Sequence, residues 1–136
     1  MSIAWDETLT VGDAAIDADH RCMMNLIAAI EAAATGPVDC AAIGRTLAEL
    51  TRLTAEHFAR EEALQRSIGF PDIDAHRLSH DMLLKRLDAV LAHYLDGGDD
   101  VRKGIIRTLG DSLATWLVTH IATNDMEYKP YMAAVR

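Results

Sequence analysis

Four stretches of this chain carry apolar residues at helical spacing, and a short segment bearing Gly or Pro breaks each from the next. That pattern leaves little choice of fold. The first stretch, DADHRCMMNLIAAIEAAATGP, opens on aspartates suited to a helix N-cap and stops at Gly36-Pro37, which predicts a helix over about residues 18–35. Asp39 can cap a second helix, whose stripe of Ile43, Leu47, Leu50, Leu53 and Phe58 runs on to about residue 67, before Gly69 and Pro71. A third begins at Asp72 or Asp74 and carries Leu83, Leu84, Leu87 and Leu91 to a break at Asp96-Gly97-Gly98. The fourth starts at Asp99 or Asp100 and reaches about residue 125. Helices of roughly 18 to 28 residues joined by loops of about 3 to 6 pack as an antiparallel, up-down-up-down four-helix bundle. Residues 1–17 form an N-terminal arm, and with no strand-like alternation, linker or repeat, one domain over 1–136 is expected.

Composition agrees with this all-α reading: half of the residues are hydrophobic but only 5% are aromatic, which suits packed helices better than twisted sheets. The formal charge of -8 sets the average surface against phosphate backbones and anionic membranes, so nucleic acid is not an expected partner. The N-terminus MSIAWDETLT lacks a basic segment followed by an apolar one, and no run approaches the ~18 apolar residues of a membrane span. A soluble, cytoplasmic protein is expected. Cys22 and Cys40 form no CxxC pair and are read as small buried or half-buried thiols rather than a disulfide.

The chemistry lies in the histidines. His57 and Glu61 are four apart on the second helix, as are His76 and His80 on the third, and at ~100° per residue each pair shares a face. Such a pair on a solvated surface makes only a weak contact. Here Leu53, Phe58 and Leu64 flank the first pair and Ile73, Leu83 and Leu84 the second, so both lie along apolar stripes, where unpartnered polar groups are costly. A metal ion is one partner that satisfies them all. In an antiparallel bundle the start of the first helix, the end of the second, the start of the third and the end of the fourth lie together, which adds His20, His120 and Asp125 to the same end. The sixth histidine, His93, lies near the opposite end and reads as structural.

The segments IDADH, HFAREE, HRLSH and WLVTHIATND, with Trp5 and Gly12 in the arm, resemble the successive iron-binding motifs of the hemerythrins, the bacterial ones specifically, over residues 5–131. The resemblance implies a pair of iron ions joined by a bridging oxo or hydroxo group. His76, His80 and His120 would serve one iron and His20 and His57 the other, with Glu61 and Asp125 each bridging both. Five imidazoles, two bridging carboxylates and one bridging oxygen leave two octahedra one bond short of complete. The vacancy falls on the iron with two histidines, and there the family binds dioxygen.

A centre of mostly neutral imidazole suits reversible binding better than high-valent chemistry, and Met23, Met24, Trp116, Leu117 and Ile121 are candidate walls of a dry pocket. Dioxygen carriage, storage or delivery to an oxygen-consuming enzyme is the leading expectation. A sensor module and a peroxidase or nitric oxide-handling enzyme are the alternatives. Residue types alone also admit zinc, cobalt or manganese. A monomer is expected, since no large unpaired apolar stripe is evident. One spacing strains the scheme: His120 and Asp125 are five apart, about 140° on an ideal helix. A wide turn or a fraying helix end is therefore expected between them, with Asn124 as the alternative polar group.

Overall fold

The computed structural model describes residues 4–135. Four long helices dominate it: α1 (Ala14–Ala33), α2 (Cys40–Ser67), α3 (Ile73–Asp96) and α4 (Asp99–Thr123), followed by a short α5 (Lys129–Val135). Connections at 34–39, 68–72 and 97–98 are too short for anything but antiparallel neighbours. α1 packs on α2, α2 on α3 and α4 back on α1, which closes the expected four-helix bundle. The described residues contain no strand.

Two differences from the sequence reading of helix boundaries bear on the site. α1 begins at Ala14, four residues early, because Asp13 caps it by accepting from the Ile16 amide at 3.1 Å. Asp17 and Asp19 are thereby free for other work. Asp17 accepts the Val11 amide at 2.9 Å and the Gly12 amide at 3.3 Å, tying the arm to the bundle. α4 ends at Thr123, two residues short of Asp125, which opens a 3-10 turn, Asp125–Glu127. The ideal helix thus breaks between His120 and Asp125, as their spacing demands. α5 carries too few residues to announce itself by periodicity, although Pro130 in its first turn suits a helix start.

The stop after α2 shows how the local code works. Gly69 takes a positive φ of 66°, so Phe70 can bond back to the Gln65 carbonyl at 2.9 Å and Gly69 to that of Arg66 at 3.2 Å. The reversal drops Phe70 beside Leu64 in an apolar cluster with Val11, Ile16, Tyr128 and Met132. This cluster caps one end of the bundle. A central core of Met23, Met24, Ile27, Leu50, Phe58, Leu83, Leu113, Leu117 and Ile121 lies beyond it, and Ile43, Leu47, Tyr94 and Ile106 fill the far end. Cys22 and Cys40 are free, and Cys22 is exposed rather than buried. No helix among the described residues is long and apolar enough to cross a membrane.

Candidate metal centre

Between the end cap and the central core lie seven buried polar side chains: His20 from α1, His57 and Glu61 from α2, His76 and His80 from α3, His120 from α4 and Asp125 from the turn after it. They form two groups with ligating atoms within 4.8 Å of one another, Glu61/His76/His80/His120/Asp125 and His20/His57/Glu61/Asp125. Both carboxylates belong to both groups. All seven residues singled out from the sequence come together here, while His93 is exposed in the last turn of α3.

The two carboxylates each turn one oxygen to each group. Glu61 sets Oε1 3.0 Å from His80 Nε2 and Oε2 3.3 Å from His57 Nε2. Asp125 sets Oδ1 3.1 Å from both His76 Nε2 and His120 Nε2, and Oδ2 3.1 Å from His20 Nε2. The His20 and His57 Nε2 atoms are themselves 3.1 Å apart. Yet Glu61 Oε1, both Asp125 oxygens and the Nε2 atoms of His76, His80 and His120 have no hydrogen-bond partner. They are close without being bonded to each other. Separations of this size are the edges of an octahedron or tetrahedron whose bonds are ~2.1 Å, for which the edge is about 3.0–3.4 Å. The donor set therefore fits a pair of cations that share Glu61 and Asp125.

Outer partners hold most rings with Nε2 inward. His57 Nδ1 lies 3.0 Å from Asp19 Oδ2, and Arg60 grips the same carboxylate with two bonds of 2.8 Å. His80 Nδ1 lies 3.1 Å from Glu62, whose other oxygen meets Arg77 at 3.0 Å. His76 Nδ1 contacts the Gln65 amide, and turning that amide over gives the otherwise unpartnered Gln65 Oε1 the ring N–H. His120 Nδ1 meets Asn124 at 2.9 Å, so Asn124 orients a histidine rather than replacing Asp125. Such partners fix tautomer and ring direction. Aromatic faces complete the packing: Phe58 stacks on His80 at 3.7 Å and Trp116 on His120 at 5.1 Å. Met23, Met24, Leu117 and Ile121 are buried in the core around Phe58.

Electrostatics follow from this crowding. Burial opposes the imidazolium of His57, but Asp19, Glu61 and Asp125 outweigh it and raise its pKa from 6.5 to about 9. Burial likewise opposes the carboxylate of Asp125, yet His120, His20 and His76 hold its pKa well below the ordinary range. Glu61 is lowered too, against burial and the charge of Asp125, by His57 and His80. In Asp19, burial again loses to His57 and Arg60, and the pKa falls to about 2. Without a metal, the centre thus keeps its carboxylates ionised, and of its histidines His57 and His76 hold protons more tightly than a free imidazole because the neighbouring acids outweigh burial.

Sequence reasoning missed Asp19, Glu62, Gln65 and Tyr128. Gln65 stands one turn after Glu61 on the same face, and Tyr128 one turn after Asp125, so both were within reach of a spacing argument. Asp19 was not, because its partners lie 38 and 41 residues away.

Comparison with known proteins agrees with the geometry. The Hemerythrin HHE cation binding domain matches residues 11–132. A bacteriohemerythrin of Stenotrophomonas maltophilia is 30% identical over 132 residues, covering 97% of this chain and 82% of that protein. A myohemerythrin of Theromyzon tessulatum is 28% identical over 125 residues, covering 92% and 89%. A crystal structure of a hemerythrin mutant superposes with a TM-score of 0.80 at 23% identity, over 96% of this chain and 98% of that one, a likeness of fold. Matched over nearly its whole length, and with a buried His/Glu/Asp cluster at the end of a four-helix bundle, the chain belongs to the hemerythrin family.

Proposed function

We propose that the protein binds dioxygen reversibly at a di-iron centre, for carriage, storage or delivery to an oxygen-consuming enzyme. The observation that carries this reading is the pair of overlapping buried groups, three histidines on one side and two on the other, with Glu61 and Asp125 common to both. His76, His80 and His120 would hold one iron, His20 and His57 the other. The side with two histidines has fewer donors and therefore room for an external ligand. When bound, the iron pair supplies the electrons that dioxygen accepts, one from each ion.

The protein's own groups favour binding over turnover. Its neutral imidazoles outnumber its carboxylates, which suits ferrous and ferric ions better than higher oxidation states. Phe58, Met23, Met24 and Leu117, all at most 2% exposed, keep water from the core side of the centre. Among the described residues Tyr128 is the one phenol that touches a carboxylate of the centre, and its hydroxyl is committed to Glu61. The test is an anaerobic titration of the reduced, iron-loaded protein with dioxygen, read by visible absorption. A band that appears on oxygenation and vanishes on degassing, cycle after cycle, is the expected result. Irreversible conversion to the ferric protein in the first cycle overturns the carrier reading in favour of an enzyme or a sensor.

A further inference from the structure

Glu61 and Asp125 offer four carboxylate oxygens to the centre, and these differ in one respect. Glu61 Oε1, Asp125 Oδ1 and Asp125 Oδ2 accept no hydrogen bond, whereas Glu61 Oε2 accepts one of 3.1 Å from the Tyr128 hydroxyl. Oε2 is also the oxygen that faces His57 Nε2 at 3.3 Å and His20 Nε2 at 3.9 Å, while Oε1 faces His80. The phenol is thus attached to the two-histidine side alone.

We propose that Tyr128 is a positioning residue that makes the two metal positions unequal: by donating to Glu61 Oε2 it draws electron density from the carboxylate oxygen serving the His20/His57 side, and so favours the reduced ion there. This inference rests on the di-iron reading. A hydrogen bond to a carboxylate oxygen competes with a cation for the same lone pairs, so it weakens that oxygen as a donor. A weaker anionic donor stabilises the higher charge less, and the ferrous state gains. The three-histidine side receives no such correction through Glu61, because Oε1 has no donor.

The surroundings make the contact durable. Tyr128 is fully buried in the apolar end cap with Val11, Ile16, Phe70 and Met132, its ring edge-on to Phe70 at 5.9 Å. The phenol is shielded from solvent there. Its backbone amide closes the 3-10 turn onto the Asp125 carbonyl at 3.4 Å, so one turn places Asp125 in the centre and Tyr128 against Glu61. A phenol facing a carboxylate oxygen can only be the donor of the bond between them.

The test compares three full-length chains loaded with iron: wild type, Tyr128→Phe, and a chain with a ring-fluorinated tyrosine at position 128, a stronger donor of unchanged shape. Iron per chain is measured first and the midpoint potentials second. Tyr128→Phe is expected to keep two irons per chain and to lower the potential of one iron, by the equivalent of about a tenfold change in its reduction equilibrium. The fluorinated chain is expected to raise that same potential. Met132→Leu, which alters the cap without touching the hydroxyl, leaves both potentials in place. Unmoved potentials, equal shifts at both irons, or shifts of the same sign in the two Tyr128 chains overturn the proposal. Should Tyr128→Phe fail to fold, the fluorinated chain decides, an upward shift supporting the proposal and none or a downward one refuting it. A wild-type chain that takes up no iron pair overturns the di-iron reading itself, an outcome distinct from an iron pair with unmoved potentials.

Discussion

Removing metal from this protein should cost it a large part of its stability, and the size follows from the centre. Six buried atoms that face the middle of the cluster lack a hydrogen-bond partner: Glu61 Oε1, both Asp125 oxygens, and Nε2 of His76, His80 and His120. Each such atom costs about 1–3 kcal/mol when left unmatched. The lower limit applies here, because attraction between the imidazole rings and the carboxylates across 3.0–3.1 Å returns part of the loss. Metal ligation should then add roughly 6 kcal/mol, comparable with the whole stability of an ordinary domain. For a chain of this length 1 kcal/mol moves the melting temperature by about 3 °C. Differential scanning calorimetry of iron-loaded and chelator-treated protein, with iron measured on both samples, should show a fall of about 15 °C or more. Complete loss of iron with a fall below about 5 °C would refute the argument that these atoms await a metal.

Three smaller perturbations probe other parts of the account. Glu62→Ala removes the carboxylate that orients His80 and should weaken metal binding by about 10- to 100-fold in a chelator competition, whereas Glu49→Ala, which breaks an exposed pair with Arg52, should not. Tyr94 donates to the Cys40 carbonyl at 2.6 Å, and burial, with that carbonyl, lifts its pKa from 10.0 to about 12. The folded state therefore holds its proton after the unfolded chain has lost it, so stability that is full below pH 10 drains away towards pH 12. Tyr94→Phe should lower stability at neutral pH and flatten that alkaline decline in urea titrations; an unchanged slope would remove Tyr94 as its source. A Cβ on Gly110 would stand 3.0 Å from Glu31 Cα, so Gly110→Ala should force α1 from α4 and destabilise by about 1–3 kcal/mol, while Gly104→Ala meets nothing within 4 Å and should stabilise slightly. Equal effects of the two alanines on thermal melting would contradict the close approach of α1 and α4.

The bundle was legible because its signals are local. Gly36-Pro37, Gly69 with Pro71, and Gly97-Gly98 end their helices through backbone preferences that need no distant partner, and the leucine and isoleucine stripes declare the buried faces. The start of α1 was less so. Asp13, Asp17 and Asp19 are equally good caps by type, and the choice depends on Asp17 being engaged by the arm and Asp19 by His57 and Arg60. Those are tertiary contacts with no local signature. At the centre, spacing brought out the pairs His57/Glu61 and His76/His80, and the antiparallel topology added His20, His120 and Asp125. The five-residue step from His120 to Asp125 even required the break that the 3-10 turn supplies. Glu62 escaped notice because a charged residue beside a candidate ligand is usually a solvated one.

The central claim is that Glu61 and Asp125 each serve two metal ions at once. Crystals of the iron-loaded protein, measured on both sides of the iron absorption edge, test it directly. The account predicts two anomalous peaks per chain, each within bonding distance of one oxygen from Glu61 and one from Asp125, with His76, His80 and His120 at one peak and His20 and His57 at the other. A single peak, or two peaks of which either carboxylate touches only one, would contradict it.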